Sequence, residues 1–143
     1  MNQKMKKTTI LFSIILCVSA CNFQVNNDKT SEDPEKVSMS VVLDIHDEVM
    51  PKMSTIAKLS AELKPLIKED SLAKEKFDNL VHAHEEMMNW MQTFGTKFNS
   101  DEIMHGAELS EEKREILAQE KIAITEVKEA MLSAISDAED YLK

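Results

Sequence analysis

Apolar side chains recur at intervals of three and four along three stretches of the chain, and this spacing predicts three amphipathic helices. The first stripe is Val42, Ile45, Val49, Ile56, Leu59, Leu63 and Leu66, interrupted only where Lys52 takes a seam position. The second is Phe77, Leu80, Val81, His84, Met87, Met88, Met91 and Phe94, with its helix expected to end near Gly95. A longer connection over 95–108 precedes the third, whose stripe is Leu117, Ile124, Val127, Met131, Ala134, Ile135, Ala138 and Leu142. No stretch alternates with period two over a useful length, so no sheet is expected.

The residues between the stripes fit helix ends and interruptions. Asp33 followed by Pro34 suits an N-cap and a first helical position, placing the start of the first helix there. Pro51 and Pro65 stand two heptads apart on one outer face, so a continuous helix bent at Pro51 is expected, with its last turn bent or loosened at Pro65. Lys68-Glu69-Asp70-Ser71 is a short polar link in which Asp70 or Ser71 can cap the second helix, and Leu109-Ser110-Glu111-Glu112 opens the third. Such a short link permits only an antiparallel hairpin. The expected fold class is therefore all-α over 34–143, as an antiparallel three-helix bundle or a three-stranded antiparallel coiled coil. A core of this size is small enough that self-association is compatible with it.

Ahead of the helices the pattern changes. Lys4, Lys6 and Lys7 precede the apolar run Ile10 to Val18, which is well short of the ~20 residues a membrane-spanning helix needs. A charged segment and a short apolar segment of this kind predict a signal peptide over residues 1–20. Val18-Ser19-Ala20-Cys21 has the form of a lipobox, aliphatic, small, small, cysteine, so Cys21 is the expected lipid attachment and the first mature residue. Cys17 departs with the signal and leaves Cys21 as the one cysteine, which excludes a disulfide framework within one chain. Residues 21–33 are polar and without periodicity, as a flexible tether would be. The expected location is a bacterial cell envelope, on the periplasmic or surface face of the outer membrane, with acyl chains as the membrane partner.

Charge narrows the class further. The chain carries a formal charge of −9, and loss of the three signal lysines takes the mature protein to −12. Nucleic acid and anionic lipid surfaces need clustered Lys and Arg, so neither is expected as a partner. There is no glycine-rich phosphate loop, nucleophile elbow or Cys-His pair. The His84-Glu85 pair has Met88 where a zinc protease needs its second histidine. Glu102-Ile103-Met104-His105 has the spacing of a di-iron ligand pair, but it occurs once where such sites need two copies and two further glutamates. Acid pairs such as Glu85-Glu86 and Glu111-Glu112 read as solvated faces or helix-start charges.

Two short segments repeat one pattern. His46-Asp47-Glu48-Val49-Met50-Pro51-Lys52-Met53 and His84-Glu85-Glu86-Met87-Met88-Asn89-Trp90-Met91 each read His, acid, Glu, any, Met, any two, Met. At ~100° per residue the histidine and the methionines four and seven later share about 60° of helix arc. A hairpin turning about residue 70 would set Met50 and Met53 opposite Trp90 and Met87, and bring Met104 and His105 to the same end. Seven methionines (39, 50, 53, 87, 88, 91 and 104) would then gather there, apart from Met131. Imidazole and thioether ligands select Cu(I), so His46, Met50, Met53, His84, Met88 and Met91 form a candidate copper site. The competing reading is that methionine fills helical cores and that these residues simply pack. A second surface is suggested by Trp90, which falls off the centre of its stripe, with Phe94 and Phe98 close behind. Together they are a candidate partner-binding patch.

The stretch Ile45 to Met53 resembles the opening helix of small Bacteroidetes lipoproteins often labelled "viral A-type inclusion protein". Met87-Met88-Asn89-Trp90-Met91 with Phe94 resembles their second helix, so the likeness covers most of residues 40–143. It implies a helical, coiled-coil-like, envelope-anchored protein and brings no enzymatic reaction or cofactor with it. The expected function is a non-enzymatic structural or protein-interaction module of the envelope. The alternative is a periplasmic copper-binding protein.

Overall fold

The computed structural model describes residues 37–143. The expected signal peptide, lipid attachment at Cys21 and tether, and the expected helix start at Asp33 and Pro34, lie outside the described residues. Five helices follow in order: α1 (Met39–Val49), α2 (Lys52–Leu63), α3 (Ser71–Lys97), α4 (Ser100–Met104) and α5 (Glu111–Tyr141). Among the described residues there is no strand, so the class is all-α as the spacing predicts. No helix among them is long and apolar enough to cross a membrane.

The helix ends follow from local chemistry. Ser38 has extended backbone (φ −99°, ψ 155°), so α1 opens at Met39, and the Ser38 hydroxyl pairs with that of Ser40 at 2.9 Å. Serine is favoured at this half-in position because its hydroxyl can accept from a first-turn N–H, but here the hydroxyl is turned to Ser40 and makes no such cap. At Pro51 the helix of the first stripe divides. Met50 (φ −52°, ψ −41°) and Pro51 (φ −60°, ψ −24°) keep helical dihedrals, but Pro51 has no N–H to give, and the hydrogen-bond ladder resumes only in α2. The Ser54 hydroxyl donates to the Pro51 carbonyl at 2.8 Å across this join.

Beyond Leu63 the chain leaves the helix two residues before Pro65. Leu66 N–H bonds the Leu63 carbonyl at 2.8 Å and Glu69 N–H the Leu66 carbonyl at 3.1 Å, both tight three-residue turns. Leu66 is consequently 40% exposed and drops out of the stripe expected for it. Asp70 caps α3 by accepting from Leu72 N–H (2.7 Å) and Ala73 N–H (3.1 Å). Gly95 does not end this helix. Phe98, 3% exposed, is drawn into the core and turns extended (φ −124°, ψ 142°), so the stop comes three residues later.

What was expected as a loop then forms α4. The Asn99 side chain accepts from Glu102 N–H while Glu102 accepts from Asn99 N–H, a reciprocal capping box. Gly106 ends the turn with φ +64°, a conformation that glycine adopts without the steric cost of a Cβ. Ser110 caps α5, with Glu111 and Glu112 in its first turn.

Packing buries one seam per helix. On the first arm it is Val42, Val49, Ile56, Leu59 and Leu63, and on α5 it is Leu117, Ile124, Val127, Met131, Ala134, Ile135 and Ala138. Helix α5 packs on α1, α2 and α3, and α2 also packs on α3. Lys97 bonds Glu120 at one end of the α3 and α5 pair, while Lys76 meets Asp137 (3.4 Å) and Asp70 meets Tyr141 (2.8 Å) at the other. Residue numbers thus rise along one helix as they fall along the other. Those two helices run antiparallel. Lys128 reaches Glu48 at 2.6 Å and ties α5 to α1.

The seam of α3 differs from its predicted stripe. It runs through Ala73, Leu80, Ala83, Met87, Trp90 and Phe94, so His84 and Met88 point outward and Trp90 inward. The predicted stripe favoured large apolar residues and passed over alanine. Close helix approach instead places Ala73 and Ala83 at the contact, and the seam lies one residue, ~100°, from where Val81, His84 and Met88 would put it.

Candidate functional site

Trp90, Phe94 and Phe98 follow one another at intervals of four on α3 and its end, and their rings form a column. Trp90 and Phe94 stack with centroids 4.7 Å apart, and Phe94 and Phe98 lie at 4.9 Å. Lys113 Nζ sits 5.9 Å from the Phe98 ring centre. At the other end the His46 ring stacks on Trp90 at 5.6 Å, inclined by 30°, and its Nδ1 is 2.8 Å from Asp47 Oδ1. The expected exposed patch of Trp90, Phe94 and Phe98 is therefore not on the surface. The three are 6%, 5% and 3% exposed because their spacing keeps them on the seam. The Trp90 Nε1–H is buried with no hydrogen-bond partner among the described residues.

The same stack corrects the hairpin register. His46, four residues before the Met50 expected there, stacks on Trp90. Because α2 stops at Leu63 and Asp70 caps α3, the turn centres nearer the middle of that link than residue 70. The first arm is displaced by about one helical turn relative to the expected pairing.

The two His/Met segments have unequal surroundings. His46, Met50 and Met53 are half-buried, and both methionines pack against the core. On α3, His84 is exposed and Met88 is 48% exposed, while Met91 is half-buried and packs against the core as Met50 and Met53 do. His84, Met88 and Met91 line one open depression with Glu85, Asn89 and Gln92. All of its lining comes from α3, so this depression holds three of the six candidate ligands. Of the other methionines expected near this level, Met87 is fully buried in the core and Met104, at the end of α4, is 71% exposed. His105 beside it is exposed. Among the described residues no three His, Cys, Asp or Glu side chains form a metal-ligating group.

Two buried carboxylates hold elements together, Glu102, considered above only as half of a Glu-x-x-His pair, and Glu120, which the pattern did not single out. Glu102 accepts from Lys113 Nζ (2.6 and 2.8 Å) and from Asn99 N–H (2.8 Å). The Lys113 hydrogen bond, then the backbone N–H, hold its carboxyl below the ordinary glutamate value despite burial. These commitments remove Glu102 from the Glu-x-x-His pair. The Asn99-Ser100-Asp101-Glu102 spacing is itself a capping-box signal and could have found it. Glu120, 4% exposed, occupies the α5 seam between Leu117 and Ile124 and pairs with Lys97. Its heptad position was the available signal.

No protein-family model, curated protein or solved structure matches this chain.

Proposed function

We propose that this chain is a lipid-anchored, non-enzymatic helical module of a bacterial cell envelope, with its three helical arms arranged as an antiparallel bundle on an acylated Cys21. The observation that carries the anchor is the order of basic residues, short apolar run and Val18-Ser19-Ala20-Cys21. The module reading is supported by where the domain spends its polar groups. Asp70, Glu102 and Glu120 each bind a partner that joins or caps helices, which makes a stiff platform out of a small core. The resemblance to small helical envelope lipoproteins points the same way.

Metabolic labelling with a fatty-acid analogue tests the anchor. The native chain is expected to take the label and run at its processed size. Cys21→Ser is expected to take none and to keep its leader, because the lipidated thiol is what the processing pathway acts on. Equal labelling of the two would overturn the proposal.

A further inference from the structure

We infer that exposed His84 and Met88, with half-buried Met91 at the edge of the α3 seam, form a soft-metal site that takes Cu(I). Methionine on a helix usually needs no explanation beyond packing. That explanation covers Met87, which is fully buried, but not Met88, which is 48% exposed and lies off the seam. Nor does packing hold His84. His46 is stacked and paired with Asp47, and His82 lies 3.4 Å from Glu86, whereas exposed His84 has no hydrogen-bond or ion-pair partner among the described residues.

The geometry suits one ion. The three residues stand at i, i+4 and i+7, so successive Cα atoms climb about 6 Å and then about 4.5 Å along one face. Residues at i, i+4 and i+7 lie one above the other on the same strip of helix surface, so their side chains are neighbours. Three rotatable bonds in each methionine let the donors close on one centre. The set is one imidazole nitrogen and two thioether sulfurs, a soft neutral combination that favours Cu(I) over Zn(II). Glu85 lines the same depression and places a carboxylate beside a cation. The His46 segment is no second copy of this site, because its ring lies against Trp90 and its Nδ1 is paired with Asp47, whereas His84 is exposed.

The test is independent of the anchor. The full chain carrying Cys17→Ser and Cys21→Ser, kept in detergent, offers no thiol to compete for copper. Anaerobic Cu(I) titration against a chromogenic chelator should show one equivalent retained per chain, bound about a hundredfold or more tighter than Zn(II). Met88→Leu preserves volume, so circular dichroism and the metal-free thermal midpoint should stay as in the parent while Cu(I) affinity falls about tenfold or more. His84→Asn should do the same, and the paired change Met50→Leu with Met53→Leu should leave the titration unchanged. X-ray absorption should find both sulfur and nitrogen at the copper. A cysteine-free chain that retains no Cu(I), or a Met88→Leu curve that overlays the parent, would overturn the site. Equal loss from the Met50 and Met53 pair would overturn its placement on α3 alone.

Discussion

Both oxygens of Asp70 are committed. Oδ1 accepts from Leu72 N–H at 2.7 Å and Ala73 N–H at 3.1 Å, while Oδ2 accepts from the Tyr141 hydroxyl at 2.8 Å. One side chain thus caps α3 and fastens it to the last turn of α5. The Tyr141 hydroxyl first, then the two backbone donors, hold the Asp70 carboxyl below its ordinary value, and the same hydroxyl bond raises Tyr141. These are two views of one interaction. Asp70→Asn and Tyr141→Phe should each lower the urea midpoint, and the double variant should lose less than the two losses added together. Additive losses would separate the cap from the staple. The cap was legible because capping needs only local sequence, whereas Tyr141 is 71 residues away and nothing local announces it. Glycines give a second comparison. Gly95 lies inside α3 with open space where a Cβ would be, so Gly95→Ala should stabilise by about 0.5 to 1 kcal/mol. Gly106 has φ +64°, and Gly106→Ala should cost about 1 to 2 kcal/mol in the same assay.

At the scale of the element, spacing located the helices and misjudged one of their faces. The stripes of the first arm and of α5 were readable because their large aliphatic residues coincide with the seam, as Val42, Val49, Ile56 and Leu63 show. In α3 two apolar rows run side by side, Leu80, Met87 and Phe94 on the seam and Val81, Met88 and Met91 beside it. Side-chain size alone selects the wrong centre. Alanines 73 and 83, fully buried or nearly so, mark the true one. The candidate metal residues were legible as a motif, but their exposure depended on this rotation and was not. Truncation measures the seam directly. Leu63→Ala removes a side chain with 0% exposure and should cost about 3 kcal/mol in chemical denaturation. Leu66→Ala, at 40% exposure beyond the helix end, should cost under about 1 kcal/mol. Similar losses at both positions would contradict the early end of α2.

For the whole molecule, acid sets two opposing effects against each other. The chain is strongly acidic, at −9 formally, so protonation relieves repulsion across the fold as pH falls. Against this, Asp70 and Glu102 have carboxyls lowered from reference values of 3.8 and 4.5. A group with a lowered folded value contributes stability that is full above its unfolded value and disappears as pH falls through the folded one. The contribution of Glu102 should therefore begin to fade as pH drops below about 5, and that of Asp70 about half a unit lower. Glu102 is the better test because one lysine and one backbone N–H account for its lowering, the lysine tying α4 to α5 and the N–H closing the cap of α4. Glu102→Gln keeps the size of the side chain and removes its titration. At pH 7 the variant should be less stable than the parent, and its urea midpoint should change less between pH 5 and pH 3. The gap between the two proteins should narrow on acidification as the parent's own carboxylate becomes neutral. A gap that stays constant over that range would mean that the charge of Glu102 contributes no stability through either Lys113 or the Asn99 N–H.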